Sequence, residues 1–142
     1  MSLHPEFPIV DGTYQMTKEW SIKLSEPHNR RIEEGSLVLW RPGFTVWVNV
    51  WNNDNKETVS ERVSWLKKDI SKKAFDLEES KDMEITRIGY RINEERPEGI
   101  VYAYYGFAIN ANGHVQISMY FDSEKDLSVA KSMLNGLSEV RP

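Results

Sequence analysis

The chain has 142 residues, 39% apolar and 28% charged, with 18 basic against 22 acidic side chains for a net charge of −4. That length suits one domain able to fold without a metal or disulfide. The acidic balance, with basic and acidic residues interleaved as in Lys67-Lys68-Asp69, argues against a nucleic-acid partner, which selects a basic stripe. The absence of cysteine excludes thiol catalysis and thiolate metal sites.

No repeat, low-complexity tract or linker interrupts the sequence, so residues 1–142 read as a single domain with 1–12 as an irregular lead-in. Tyr14 to Leu24 alternates loosely as a strand does, with Trp20, Ile22 and Leu24 on one face. Glu26-Pro27-His28-Asn29 signals a turn. Leu37 to Trp40 is a short apolar run, and Arg41-Pro42-Gly43 punctuates a hairpin. The next strand is the clearest. Phe44, Val46, Val48 and Val50 point one way, and Thr45, Trp47, Asn49 and Trp51 the other. Large apolar groups on both faces predict a strand covered above and below.

Asn52-Asn53-Asp54-Asn55 ends that strand, and Thr58 with Glu61 forms a capping box at the head of a helix. Val59, Val63, Leu66 and Ile70 share one helical stripe, while Trp65 falls on the other side among Glu61, Lys68 and Lys72. Met83 to Ile92 reads as a strand, Arg96-Pro97-Glu98-Gly99 as a turn, and Ile100 to Ile109 as a long strand. Asn110-Ala111-Asn112-Gly113 is a hairpin turn rich in residues that tolerate positive φ. On the returning strand Val115, Ile117, Met119 and Phe121 face one way and His114, Gln116, Ser118 and Tyr120 the other. Asp122 or Ser123 then caps a helix whose apolar arc is Leu127, Ala130, Met133, Leu134 and Leu137. The order predicts an α+β domain, a mostly antiparallel sheet of about six strands with two or more packed amphipathic helices.

The meander from Tyr104 through Asp122, running into Leu127, Ala130, Leu134 and Leu137, resembles the PsbP-like fold. That fold is shared by the photosystem extrinsic protein, a yeast Ran-binding nuclear-transport factor and many small bacterial proteins. The resemblance spans roughly residues 14–139 and implies architecture and a binding role that differs among its bearers. It carries over no functional residues. The anchoring cysteine of lipoprotein relatives has no counterpart here.

Chemistry-bearing patterns are sparse. The three histidines, His4, His28 and His114, lack metal-ligand spacing. Asn52, Asp54 and Glu57 lack the mid-loop glycine and distal glutamate of a calcium loop, so the residues imply no metal and no cofactor. There is no nucleophile elbow, phosphate loop or dinucleotide fingerprint. No apolar run reaches the roughly eighteen residues of a membrane span, and no basic start leads into an apolar signal core. A soluble cytoplasmic domain without membrane insertion is the expectation.

Two surfaces stand out. His114, Gln116, Ser118 and Tyr120 share one strand face, with Tyr102 and Tyr104 as partners across the hairpin if the turn register allows. A ligand shelf there would show as a concave pocket holding His114 and at least two of these partners. Trp65 is the second candidate, either as cover for a loop or as a contact residue for a protein partner. The reading that follows is a non-catalytic interaction module, with a small-molecule-binding protein or weak enzyme using the His114 face as the alternative.

Overall fold

The computed structural model, described over residues 3–140, is built on one antiparallel sheet of nine strands. In chain order they are β1 (Ile9–Gln15), β2 (Trp20–Glu33), β3 (Ser36–Arg41), β4 (Phe44–Asn52), β5 (Phe75–Asp82), β6 (Ile85–Arg96), β7 (Gly99–Asn110), β8 (Gly113–Phe121) and β9 (Ser138–Glu139). Helix α1 (Val59–Lys68) follows β4, and α2 (Leu127–Asn135) precedes β9. Across the sheet the order is β1-β2-β3-β4-β8-β7-β6-β5, with β9 pairing the start of β2.

Local chemistry explains most of the joints. The β3–β4 turn uses Pro42-Gly43 and the β6–β7 turn Pro97-Glu98. The β7–β8 hairpin ends on Gly113, whose φ of +144° and close approach to the Trp51 carbonyl leave no room for a Cβ. The chain leaves the sheet after β4, crosses through α1 and β5, and returns so that β8 pairs with β4 along its whole length.

The main core lies on one face. Phe44, Val46 and Val48 of β4 meet Val115, Ile117, Met119 and Phe121 of β8, beneath Trp20, Ile22 and Leu24 of β2 and Ala130, Met133, Leu134 and Leu137 of the α2 segment. Both strand faces predicted for Trp20–Leu24 and β8 therefore point as expected. The Arg87 guanidinium donates to the Leu137 carbonyl at 2.6 Å, fixing the chain beyond α2 to β6. On the opposite face a smaller cluster of Leu66, Ile88, Tyr90, Phe107 and Ile109 is roofed by α1, with Val59, Val63 and Ile70 packed against it.

Several expectations are corrected. The α+β class with about six strands and packed amphipathic helices gives way to a mostly-β architecture. Nine strands share the one sheet, and the helices have only ten and nine residues, too short to form a layer. The predicted helical stripes do exist, but each covers only part of a face. The unpredicted β5 is exposed at every position and rich in charge, so it lacks the alternation that marks a strand. The supposed turn at Glu26–Asn29 lies inside β2, where residues 25–27 bulge between the Val10–His28 and Gly12–Leu24 pairs. Pro27, which has no N–H to donate, belongs in such a bulge. The irregular 1–12 lead-in is strand from Ile9 onward; Met1 and Ser2 lie outside the described residues. Finally, β4 is central but covered on one face only: Trp47 is half-buried and Trp51 is 45% exposed.

Candidate functional site

The face of the sheet that carries α1 is organised by β8. His114 stands between Trp51 of β4 and Ile109 of β7, and Gln116 between Asn49 and Phe107. Ser118 lies between Trp47 and Tyr105, and Tyr120 between Thr45 and Ala103. The hairpin register settles the side of the two tyrosines. Tyr102 and Tyr104 pair Phe121 and Met119, so they stand on the opposite face, with Tyr104 buried in the main core. The phenol neighbours of the His114 face are instead Tyr105 and, one strand further, Tyr90.

The N-terminal end of α1 is tied to this face by a polar network. The capping box forms as predicted: the Thr58 hydroxyl accepts from the Glu61 N–H at 3.1 Å, and the Glu61 carboxylate accepts from the Thr58 N–H at 2.9 Å. Ahead of it, the Asn53 side chain accepts from the Glu57 N–H and donates to the Glu57 and Ala111 carbonyls, which locks the loop. Arg62, 5% exposed, reaches from α1 into this network. Its guanidinium donates to the Asn52 carbonyl at 3.1 Å, to the Asn53 side chain at 3.2 Å, and to Glu57 Oε1 at 3.2 Å. Its other terminal nitrogen lies 2.9 Å from His114 Nδ1.

That last contact fixes the imidazole. A guanidinium has only donors, so Nδ1 must accept and the ring proton sits on Nε2. His114 is 3% exposed, stacked on Trp51 at 5.1 Å and met edge-on by Trp65 at 5.9 Å and Phe107 at 6.0 Å. Burial, followed by the Arg62 charge, pushes its pKa down to about 4, with Glu57 opposing. The ring is neutral at pH 7.

Trp65 does not stand apart from His114. Its indole N–H donates to Glu57 Oε2 at 2.6 Å, and it remains 39% exposed at the rim. His114 and Trp65, nominated separately from sequence, thus lie against one another. Beside them runs a cleft of about 340 Å³ between α1 and the sheet. Trp51, Trp65, Tyr90 and Phe107 are its aromatic walls. His114, Gln116 and Asp69 supply its polar groups, and Leu66 and Ile70 close the helical side. Ser118 and Tyr120 lie outside it. Only Gln116 of the predicted partners accompanies His114, so the cleft is not the shelf drawn along β8; α1 builds half of it.

Arg62, Phe107, Tyr90 and Asp69 were not singled out from sequence, and Trp51 was expected to pack beneath a covering layer, whereas it is 45% exposed at the cleft. For Arg62 a signal was present: it precedes Leu66 by four residues, which puts a cation on the buried flank of an otherwise apolar stripe. The loop residues Asn52, Asp54 and Glu57 line a shallow polar hollow, but the Glu57 carboxylate is already engaged by Arg62 and Trp65. Among the described residues no group of three or more metal-ligating side chains converges, and no helix is long and apolar enough to cross a membrane. No protein-family model matches the chain, and no curated protein shows significant sequence similarity to it.

Proposed function

We propose that this chain is a small-molecule-binding protein whose cleft between α1 and the β6–β8 part of the sheet holds a flat, mostly apolar, uncharged ligand. The supporting observation is the convergence of Trp51, Trp65 and Phe107 on a neutral His114 at the wall of a 340 Å³ cleft. Apolar walls with a few placed polar groups are the usual make-up of such sites. His114 Nε2–H offers one donor, and Asp69 and Gln116 offer acceptors. Arg62 behind the imidazole is already paired with Glu57, and Asp69, the one charged side chain of the lining, is exposed to solvent, so no buried unpaired charge calls for a charged ligand. A histidine whose pKa lies near 4 is a weak base, so the geometry suits holding a molecule better than proton transfer.

The test is titration with N-phenylnaphthylamine, an uncharged fluorophore that brightens in apolar clefts. Wild-type protein should enhance and blue-shift its emission, and Trp65→Ala should weaken binding at least tenfold while keeping the far-ultraviolet circular dichroism of the folded sheet. No enhancement by wild-type protein, or equal binding by the variant, overturns the reading.

The exposure of Trp51 and Trp65 at the rim favours a second reading, an interaction module whose partner inserts a side chain into the same cleft. In that case a partner captured by the wild type is lost with Trp65→Ala, and the fluorophore competes with it.

A further inference from the structure

The same sheet face carries a second cavity, six residues further along β8 from His114 and therefore about 20 Å away. It is an open hollow of about 370 Å³, lined by Thr45, Trp47, Glu94, Arg96 and Tyr120. From its side chains we infer that it is a binding site for a neutral polyhydroxylated ring, a pyranose sugar being the simplest case.

Its chemistry differs from that of the α1 cleft. Trp47 and Tyr120 flank one another diagonally on β4 and β8 and supply the aromatic surface against which the C–H face of a sugar ring packs. Around them stands an array of donors and acceptors. Arg96 donates to Glu94 Oε2 at 2.9 Å, and the Tyr105 hydroxyl approaches Glu94 Oε1 at 3.3 Å and the Tyr120 hydroxyl at 3.2 Å. A carboxylate accepts about four hydrogen bonds and a guanidinium donates about five, so both retain unused capacity. Tyr105 has one proton for two neighbours; when it goes to Tyr120, the Tyr120 proton is free to turn to a ligand, and when it goes to Glu94, the Tyr120 hydroxyl donates to Tyr105 instead. Burial, Tyr120 and Glu94 all raise the Tyr105 pKa, which keeps that proton in place.

Charge selects among ligand classes. Glu94 and Arg96 neutralise one another, so neither an anion nor a cation finds an unmatched partner. A purely apolar ligand would strand their remaining donors and acceptors. Vicinal hydroxyls, each both donor and acceptor, can bridge a carboxylate and a guanidinium side by side.

Saturation-transfer NMR on the full chain tests the inference, with methyl β-glucopyranoside, methyl β-galactopyranoside and N-acetylglucosamine as probes and guanosine as a flat heteroaromatic comparator. Transfer to the ring protons of at least one sugar is expected. It should fall at least tenfold in Arg96→Ala and in Glu94→Gln, exposed-side changes checked for folding by thermal unfolding, and persist in Trp65→Ala. Persistence in Trp65→Ala separates this site from the α1 cleft, so either can fail alone. No transfer to any sugar, transfer undiminished in Arg96→Ala, or transfer to guanosine alone overturns it.

Discussion

Arg62 of α1 places its guanidinium 2.9 Å from Nδ1 of His114 on β8, 52 positions away in the chain, and so joins helix to sheet through a neutral imidazole. A protonated His114 would turn donor against donor, and the contact would be lost.

Burial of His114, and after it the Arg62 charge, makes stability acid-sensitive. The folded pKa of His114, about 4, lies below the imidazole's ordinary value of 6.5, so the unfolded chain binds a proton more readily. The stabilisation is complete above the unfolded value, declines as pH falls between the two, and is gone once pH passes below the folded value. Its size is on the order of 3 kcal/mol. Burial also lowers the pKa of His28, adding loss in the same direction. Urea unfolding followed from neutral to acid pH should show the decline, and the His114 ring proton observed by NMR should stay at its neutral shift until pH is well below 6.5. An imidazole titrating at its ordinary value would refute the assigned contact.

Glu57 is the counter-charge that makes a buried Arg62 tolerable. Its two oxygens accept from Arg62 at 3.2 Å and from the Trp65 indole at 2.6 Å. Glu57→Ala should cost about 2–4 kcal/mol by leaving the guanidinium uncompensated, and should red-shift Trp65 emission. Glu57→Gln keeps an acceptor for the indole and should cost less. Equal unfolding midpoints for wild type and Glu57→Ala would show that other groups carry the charge.

Gly106 of β7 lies opposite Gly89 of β6, and Leu134 of α2 fills the space above them. A Cβ at Gly106 would come 2.8 Å from Leu134 Cδ1. Gly106→Ala should therefore destabilise by about 1–3 kcal/mol through overpacking. Adding Leu134→Ala should cost less than it does in the wild-type background, a non-additivity that a double-mutant cycle reads directly. Strict additivity would mean that α2 shifts freely.

The sequence disclosed the parts of this molecule in which burial and periodicity coincide. The valines of β4, the alternation of β8, the Thr58–Glu61 cap and the arc of α2 are all written locally. It concealed β5 because an edge strand solvated on every residue, Phe75–Asp82, needs no apolar alternation. It concealed the bulge in β2 because a proline in a bulge and a proline in a turn carry the same local signal. The site was half legible. His114 and Trp65 were visible as residues, but their meeting depends on how α1 crosses the sheet. The side on which Tyr102 and Tyr104 fall depends on a hairpin register that shifts by one residue as easily in text as in backbone.

The polar anchors of α1 gather at its first turns, where Thr58, Glu57 and Arg62 bind it to the β4 loop and to His114. Its far end rests on Leu66 and Ile70 packing and on a solvent-facing pair of Lys67 with Glu79. The helix is thus set in place by directional donors and acceptors at one end and by non-directional apolar packing at the other.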